Sequence, residues 1–214
     1  MSWQAVWTNS LNALTEAQKE QNVDIIYYYF NALGWTINPI AAMLGNIETE
    51  SQLNPAQWEA GYPIYNPGTS GFGLVQWTPW TKLRDWLGTG WEDNYTGQLE
   101  RIEWESQPEN QGNVNPNGQW IPVYSKNGYV YGNYTFQQFA HDTTHAMDWL
   151  VGCFQDSYER PRDSSISSRT VKANRWLQYM QSHPPTPPTP PTPTPSYIPK
   201  LKLWMMLKPY YRRY

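Results

Sequence analysis

Cysteine is nearly absent: Cys153 is the only one, so no disulfide can form within the chain, and its setting in "MDWLVGCFQ" marks it as a buried apolar filler. Folding in a reducing cytosol fits that. Charge is also scarce, at 15% of residues, and no basic groove suited to nucleic acid stands out. No apolar run reaches the roughly 18 residues of a membrane span. The N-terminus "MSWQAVWTNSLNALTEAQK" lacks the basic start and continuous apolar core of a secretory leader. A target outside the producing cell would then have to be reached by lysis or by carriage on a particle. Metal ligands are few as well. "HDTTH", His141 to His145, has the spacing of a two-histidine zinc site, but the neighbouring acid is Asp and no third ligand is evident. There is no P-loop and no Ser/His/Asp order, and neither a metal nor a cofactor is expected.

What the sequence has in excess is aromatic surface. Aromatic residues make up 16% of the chain, with 13 Trp and 16 Tyr. These side chains join a flat apolar face to a polar handle, which suits a ligand that is both wet and apolar, such as a sugar. The alternative is that they simply build the core and its interfaces.

A length of 214 residues allows one well-buried domain and an appendage. The boundary is "HPPTPPTPPTPTPS", whose repeated Pro and Thr favour extended polyproline II and cannot pack a core. The expected organisation is a domain over residues 1–183, a linker over 184–195 and a tail over 196–214. The tail holds five Lys or Arg and no acid, while the rest holds ten bases against eighteen acids, about +5 against −8. Lys200, Lys202, Lys208, Arg212 and Arg213, with Trp204, Met205 and Leu207 as an apolar patch, suit anionic wall polymers or a membrane surface. So short a tail does not fold alone.

Within the domain, Thr15 and Gln18 form a capping box that starts a helix ended by Gly34. Asn38 and Pro39 read as the N-cap and first residue of a second helix with the apolar stripe Ile40, Met43, Leu44 and Ile47. Residues 56–78, rich in Gly, Pro, Asn and aromatics, predict loops and a short β-ribbon with "GFGLVQW" as the best strand. Helices resume at "WTKLRDWL", "QLERIEWES", "FQQFA" behind the Thr135/Gln138 box, "THAMDWLVGCFQDSYE" and "TVKANRWLQYMQ". The class is α+β, mainly α, with a small β-ribbon placed early.

The second helix ends in two acids, Glu48 and Glu50. On a helix they lie about 200° apart and cannot share a face, so one is expected to point to solvent. Position favours Glu50 for chemistry. At the C-terminal end of a helix, unpaired carbonyls disfavour an anion and favour the protonated carboxyl from which a general acid starts. A solvated pair of surface acids is the competing account.

The segments "GWTINPIAAMLGNIETESQLNP", "GFGLVQWTP", "ERIEWE" and "SYERP" stand in colinear order over about residues 20–180. In this order they resemble the phage tail lysozyme family, in particular the wall-degrading tail-knob proteins of small short-tailed Bacillus phages. The resemblance implies a lysozyme-like fold that cuts the glycan backbone of peptidoglycan as a muramidase, carried on a virion tail, with the Glu of "ES", Glu50, as acid. Glu48 becomes a helix-surface acid. Glu59, the other acid before "GFGLVQW", is the candidate base. For substrate binding the candidates are Gln76 and Trp77 on the strand, Gly73 for close approach of the backbone, Trp58 and Tyr62 as stacking platforms, and Tyr158 at the end of the long helix. The structural alternatives are a tight hairpin with Trp77 in the core, and Glu159 and Arg160 holding the helix end. Glu105 recurs in the family and is given a structural role. Other tail proteins become partners for the C-terminal tail. A lytic transglycosylase, or a wall-binding tail module without catalysis, remains open.

Overall fold

A computed structural model describes residues 2–65 and 70–184. The linker beyond Pro184 and the basic tail lie outside the described residues. Seven α-helices, short 3-10 turns and one small hairpin make up the rest.

Helix α1 (Glu16–Ala32) begins at the expected capping box: the Thr15 side chain accepts from the Gln18 N–H while the Gln18 side chain accepts from the Thr15 N–H. Gly34, at φ +87, reverses the chain after it. Helix α2 (Ile37–Ser51) starts earlier than the Asn-Pro signal predicts, with Thr36 as its N-cap. Thr36 makes no side-chain cap; its hydroxyl donates instead to the Asp142 carbonyl at 2.5 Å, so a distant loop fixes the helix start. The helix stops where Gln52 and Leu53 turn left-handed, at φ 55 and 61.

Helices α3 (Thr81–Leu87), α4 (Tyr95–Ser106), α5 (Phe136–Ala140), α6 (Met147–Phe154) and α7 (Ile166–Ser182) follow the predicted segments. A π-helical turn, Gln155–Glu159, extends α6 up to Arg160. Helix α2 is the axis of the domain and is covered on nearly every side, from Pro39 to Glu48 without a break. Its closest neighbour is α7: a Cβ on Gly45 would stand 2.5 Å from the Arg169 carbonyl oxygen and 2.8 Å from Ala173, so only glycine admits this approach.

The β element differs in place from the predicted strand. "GFGLVQW" is a tight turn: Phe72 and Trp77 exchange backbone hydrogen bonds of 3.3 and 3.0 Å, and the chain reverses through Gly73 at φ +87 and Gln76 at φ 51. Two left-handed residues within so short a span preclude an extended strand. Isolated bridges join Trp58 to Phe72 and Phe72 to Trp77. The one regular sheet among the described residues is the hairpin β1 (Ser125–Lys126) and β2 (Tyr129–Val130), turned by Asn127-Gly128 with both φ positive.

Candidate active site

Glu50 is the penultimate residue of α2, and its side chain is 22% exposed. Arg169 of α7 reaches it at 2.5 Å through Nη2, donates to Asn46 Oδ1 at 2.9 Å through Nη1, and is itself fixed by Ser165 Oγ at 2.7 Å. Asn46 in turn donates to the carbonyls of Ala42 and Val151. One turn of α2 therefore holds the guanidinium, and the guanidinium orients the carboxyl.

Glu50 opens onto a cavity of about 200 Å³ shared with Glu59, Ala60, Gln76, Thr78, Gln119 and Glu159. Glu59 accepts the Gly71 N–H at 2.8 Å, which fixes one carboxylate oxygen. Gln76 donates to the carbonyls of Gln57 and Gly73 at 3.0 and 2.9 Å. Glu159 has a buried oxygen, Oε1, with no hydrogen-bond partner among the described residues. Burial first, and then the Glu50 carboxyl beside it, push the Glu159 carboxyl well above the usual carboxylate range. Arg169 and Arg160 act against this shift and do not cancel it. A cavity edged by three carboxyl groups, one of them driven toward its neutral form, can hold a transferable proton beside a group able to accept one.

The sequence matches the family model for phage tail lysozyme over residues 21–180. The chain belongs to the phage tail lysozyme family. It is similar to morphogenesis protein 1 of Bacillus phage B103, with 38% identity over 160 residues that cover 73% of this chain and 38% of the relative. The chain thus spans little more than a third of that protein. Family membership makes it a lysozyme-like phage protein.

Of the sequence-derived site residues, the fold brings Glu50, Glu59 and Gln76 to one cavity. The others lie elsewhere. Trp58 is fully buried, its ring ringed by Phe72, Tyr65, Trp7 and Trp80 at centroid distances of 4.8, 4.9, 5.6 and 5.7 Å, and it has no face to offer a sugar. Trp77 is fully buried too, so the core alternative holds for it. Gly73 is buried against the Gln98 side chain: a Cβ there would meet Gln98 Oε1 at 2.7 Å, so its role is the turn. Tyr62 is exposed but does not line the cavity.

Tyr158 is fully buried and donates its hydroxyl to Glu105 Oε2. Glu105, which also binds Arg101 Nε at 2.7 Å, anchors the tyrosine inward and has the structural role expected of it. Glu48 is corrected as well. It is 4% exposed, because α2 has no solvent face there, and its carboxylate binds Arg175 at 2.7 Å, Trp176 Nε1 at 2.9 Å and Lys19 at 3.5 Å. Arg160 holds the helix end as expected, donating to the carbonyls of Gln119 and Ser157. Glu159 does not; the π turn swings it to the cavity, and sequence spacing on a regular helix gave no sign of that. Gln119 had no sequence signal. The two histidines are separated in use: His145 Nδ1 meets Asp142 Oδ2 at 2.6 Å and His141 Nδ1 meets the Gly34 carbonyl at 3.0 Å.

Proposed function

We propose that this tail lysozyme is a muramidase that hydrolyses the glycan backbone of peptidoglycan and opens the host wall locally during infection. The observation that carries the proposal is the convergence of Glu50, Glu59 and Glu159 on one cavity at the end of α2, within the family match. Glu159, whose carboxyl is driven toward its neutral form by burial and by the neighbouring Glu50, holds a proton at the cavity wall. Glu50, held by Arg169, passes that proton to the glycosidic oxygen as the C–O bond breaks. Glu59, oriented by the Gly71 N–H, takes a proton from the water whose oxygen adds to the anomeric carbon. Gln76 edges the same cavity and supplies an amide for the substrate.

Glu50→Gln and Glu59→Gln are each expected to lower turnover by about 10²–10⁴-fold, the range of a lost general acid or base. Wall binding should persist in both. Unchanged turbidity clearance by Glu50→Gln would refute the acid assignment and favour a wall-binding module. Mass spectrometry of the products tests the bond: reducing N-acetylmuramic acid ends are expected, whereas reducing N-acetylglucosamine ends mean a glucosaminidase and 1,6-anhydro ends a transglycosylase.

A further inference from the structure

The walls of the carboxylate cavity continue past it. Thr78 and Gln119 edge that cavity, and the same two stretches of chain, at Thr81 and Lys82 on one side and Asn117 on the other, edge a second cavity of about 360 Å³. The two cavities are therefore flanked by the same two segments of chain. The second is walled by Trp86 and Trp104, with ring centroids 6.4 Å apart, and Arg101 lies over both rings at 5.5 and 4.8 Å. Arg101 is only 2% exposed, and its charge is met by Glu105.

The remaining charges decide what such a cavity takes. Asp85 is bound to Arg84 at 2.6 Å. Lys82 is half-buried, and its ammonium makes no hydrogen bond or ion pair among the described residues. Partial burial lowers its pKa, and the cationic Arg160 and Arg101 nearby add to that against the opposing pull of Glu105. An ammonium crowded by cations and stripped of part of its water gains by meeting an anion. Two half-exposed indoles beside it offer the flat apolar faces that sugar rings cover. A glycan of neutral amino sugars has no anion to give. A strand of peptidoglycan does, on the peptides attached to its lactyl groups.

We infer that the Trp86–Trp104 cavity holds a further part of the strand engaged at Glu50 and reads the carboxylate of its peptide substituent through Lys82. This rests on peptidoglycan being the substrate, and binding can test it apart from cleavage. In the Glu50→Gln protein, soluble disaccharide-peptide oligomers with free carboxyls, titrated by tryptophan fluorescence, should bind about tenfold more tightly than the same oligomers with carboxyls amidated. A tenfold preference corresponds to about 1.4 kcal/mol, within the range of one charge-assisted hydrogen bond. Adding Lys82→Met should abolish the preference, while Lys82→Arg, which keeps the charge, should retain it. Equal affinity for the two forms, a preference that survives Lys82→Met, or no binding of either form would overturn the inference. A wild-type protein that binds with this preference and cleaves nothing would leave the inference standing and sink the hydrolase.

Discussion

Glu159 has the most to lose from a change of protonation. A carboxyl whose folded pKa is raised binds more protons in the folded chain than in the unfolded one between the two values, so stability falls as pH rises through that interval. The interval begins near the ordinary value of 4.5. Glu159→Gln, which keeps the shape without the charge, should therefore be more stable than the native protein at pH 8, by about 1–3 kcal/mol. The two should coincide near pH 4. Thermal unfolding at both pH values measures this, and parallel pH profiles would rule out a buried proton store. The same substitution removes the proton that this carboxyl holds, so kcat should fall while wall binding persists. A role confined to packing would leave kcat near the native value well below the melting temperature.

At the scale of elements, α2 and α7 make one unit with two ends of different use. Asn46, Arg169 and Glu50 hold the end that faces the cavity. Toward the other side, Glu48 ties α2 to Lys19 of α1 and to Arg175 and Trp176 of α7. Removing Glu48 takes the acceptor from the buried Trp176 Nε1 and an anion from Lys19, while Arg175 keeps Glu16, so Glu48→Ala should cost about 1–3 kcal/mol. Activity measured well below the melting temperature should stay within a fewfold of native, in contrast to Glu50→Gln. A Glu48→Ala protein of native stability would remove the cluster from the account of the fold.

Legibility follows the range of the interactions that set each element. The Thr15/Gln18 and Thr135/Gln138 boxes close over four consecutive residues, so sequence alone placed the starts of α1 and α5. The start of α2 depends on the Asp142 carbonyl, far along the chain, and was misplaced accordingly. "GFGLVQW" has the composition of a strand, and only the positive φ of Gly73 and Gln76 makes it a turn.

For the whole molecule, acid is the informative stress. Asp142 gathers the Tyr134 hydroxyl, the His145 ring and the backbone N–H groups of Thr144 and His145. Burial by itself would raise its pKa, but these donors outweigh it and hold the carboxyl at about 2, below the ordinary 3.8. A depressed carboxyl gives stability that is complete above its unfolded pKa and is lost as pH falls through the folded one. Chemical denaturation at stepped pH should show this contribution disappearing between about pH 3.8 and 2. It should be absent in Asp142→Asn, and an identical acid response in the variant would contradict it.

The aromatic excess also resolves at this scale. Trp35, Trp58, Trp77, Trp80, Trp91, Trp120 and Trp176 are all buried, so most of the tryptophan builds the core, and the half-exposed Trp86 and Trp104 are what the second cavity offers to a ligand. By itself the sequence determined the helical class, the capped helix starts, the family, and Glu50, Glu59 and Gln76 as residues to watch. Each of these is written in local pattern or in a colinear set of motifs. Only the tertiary structure decided that Glu159 joins Glu50, that Glu48 is interior, and that Trp58, Trp77 and Tyr158 face inward. Those outcomes depend on which surfaces meet once α2 is enclosed, and burial is a property of the packed chain, not of any residue's place along it.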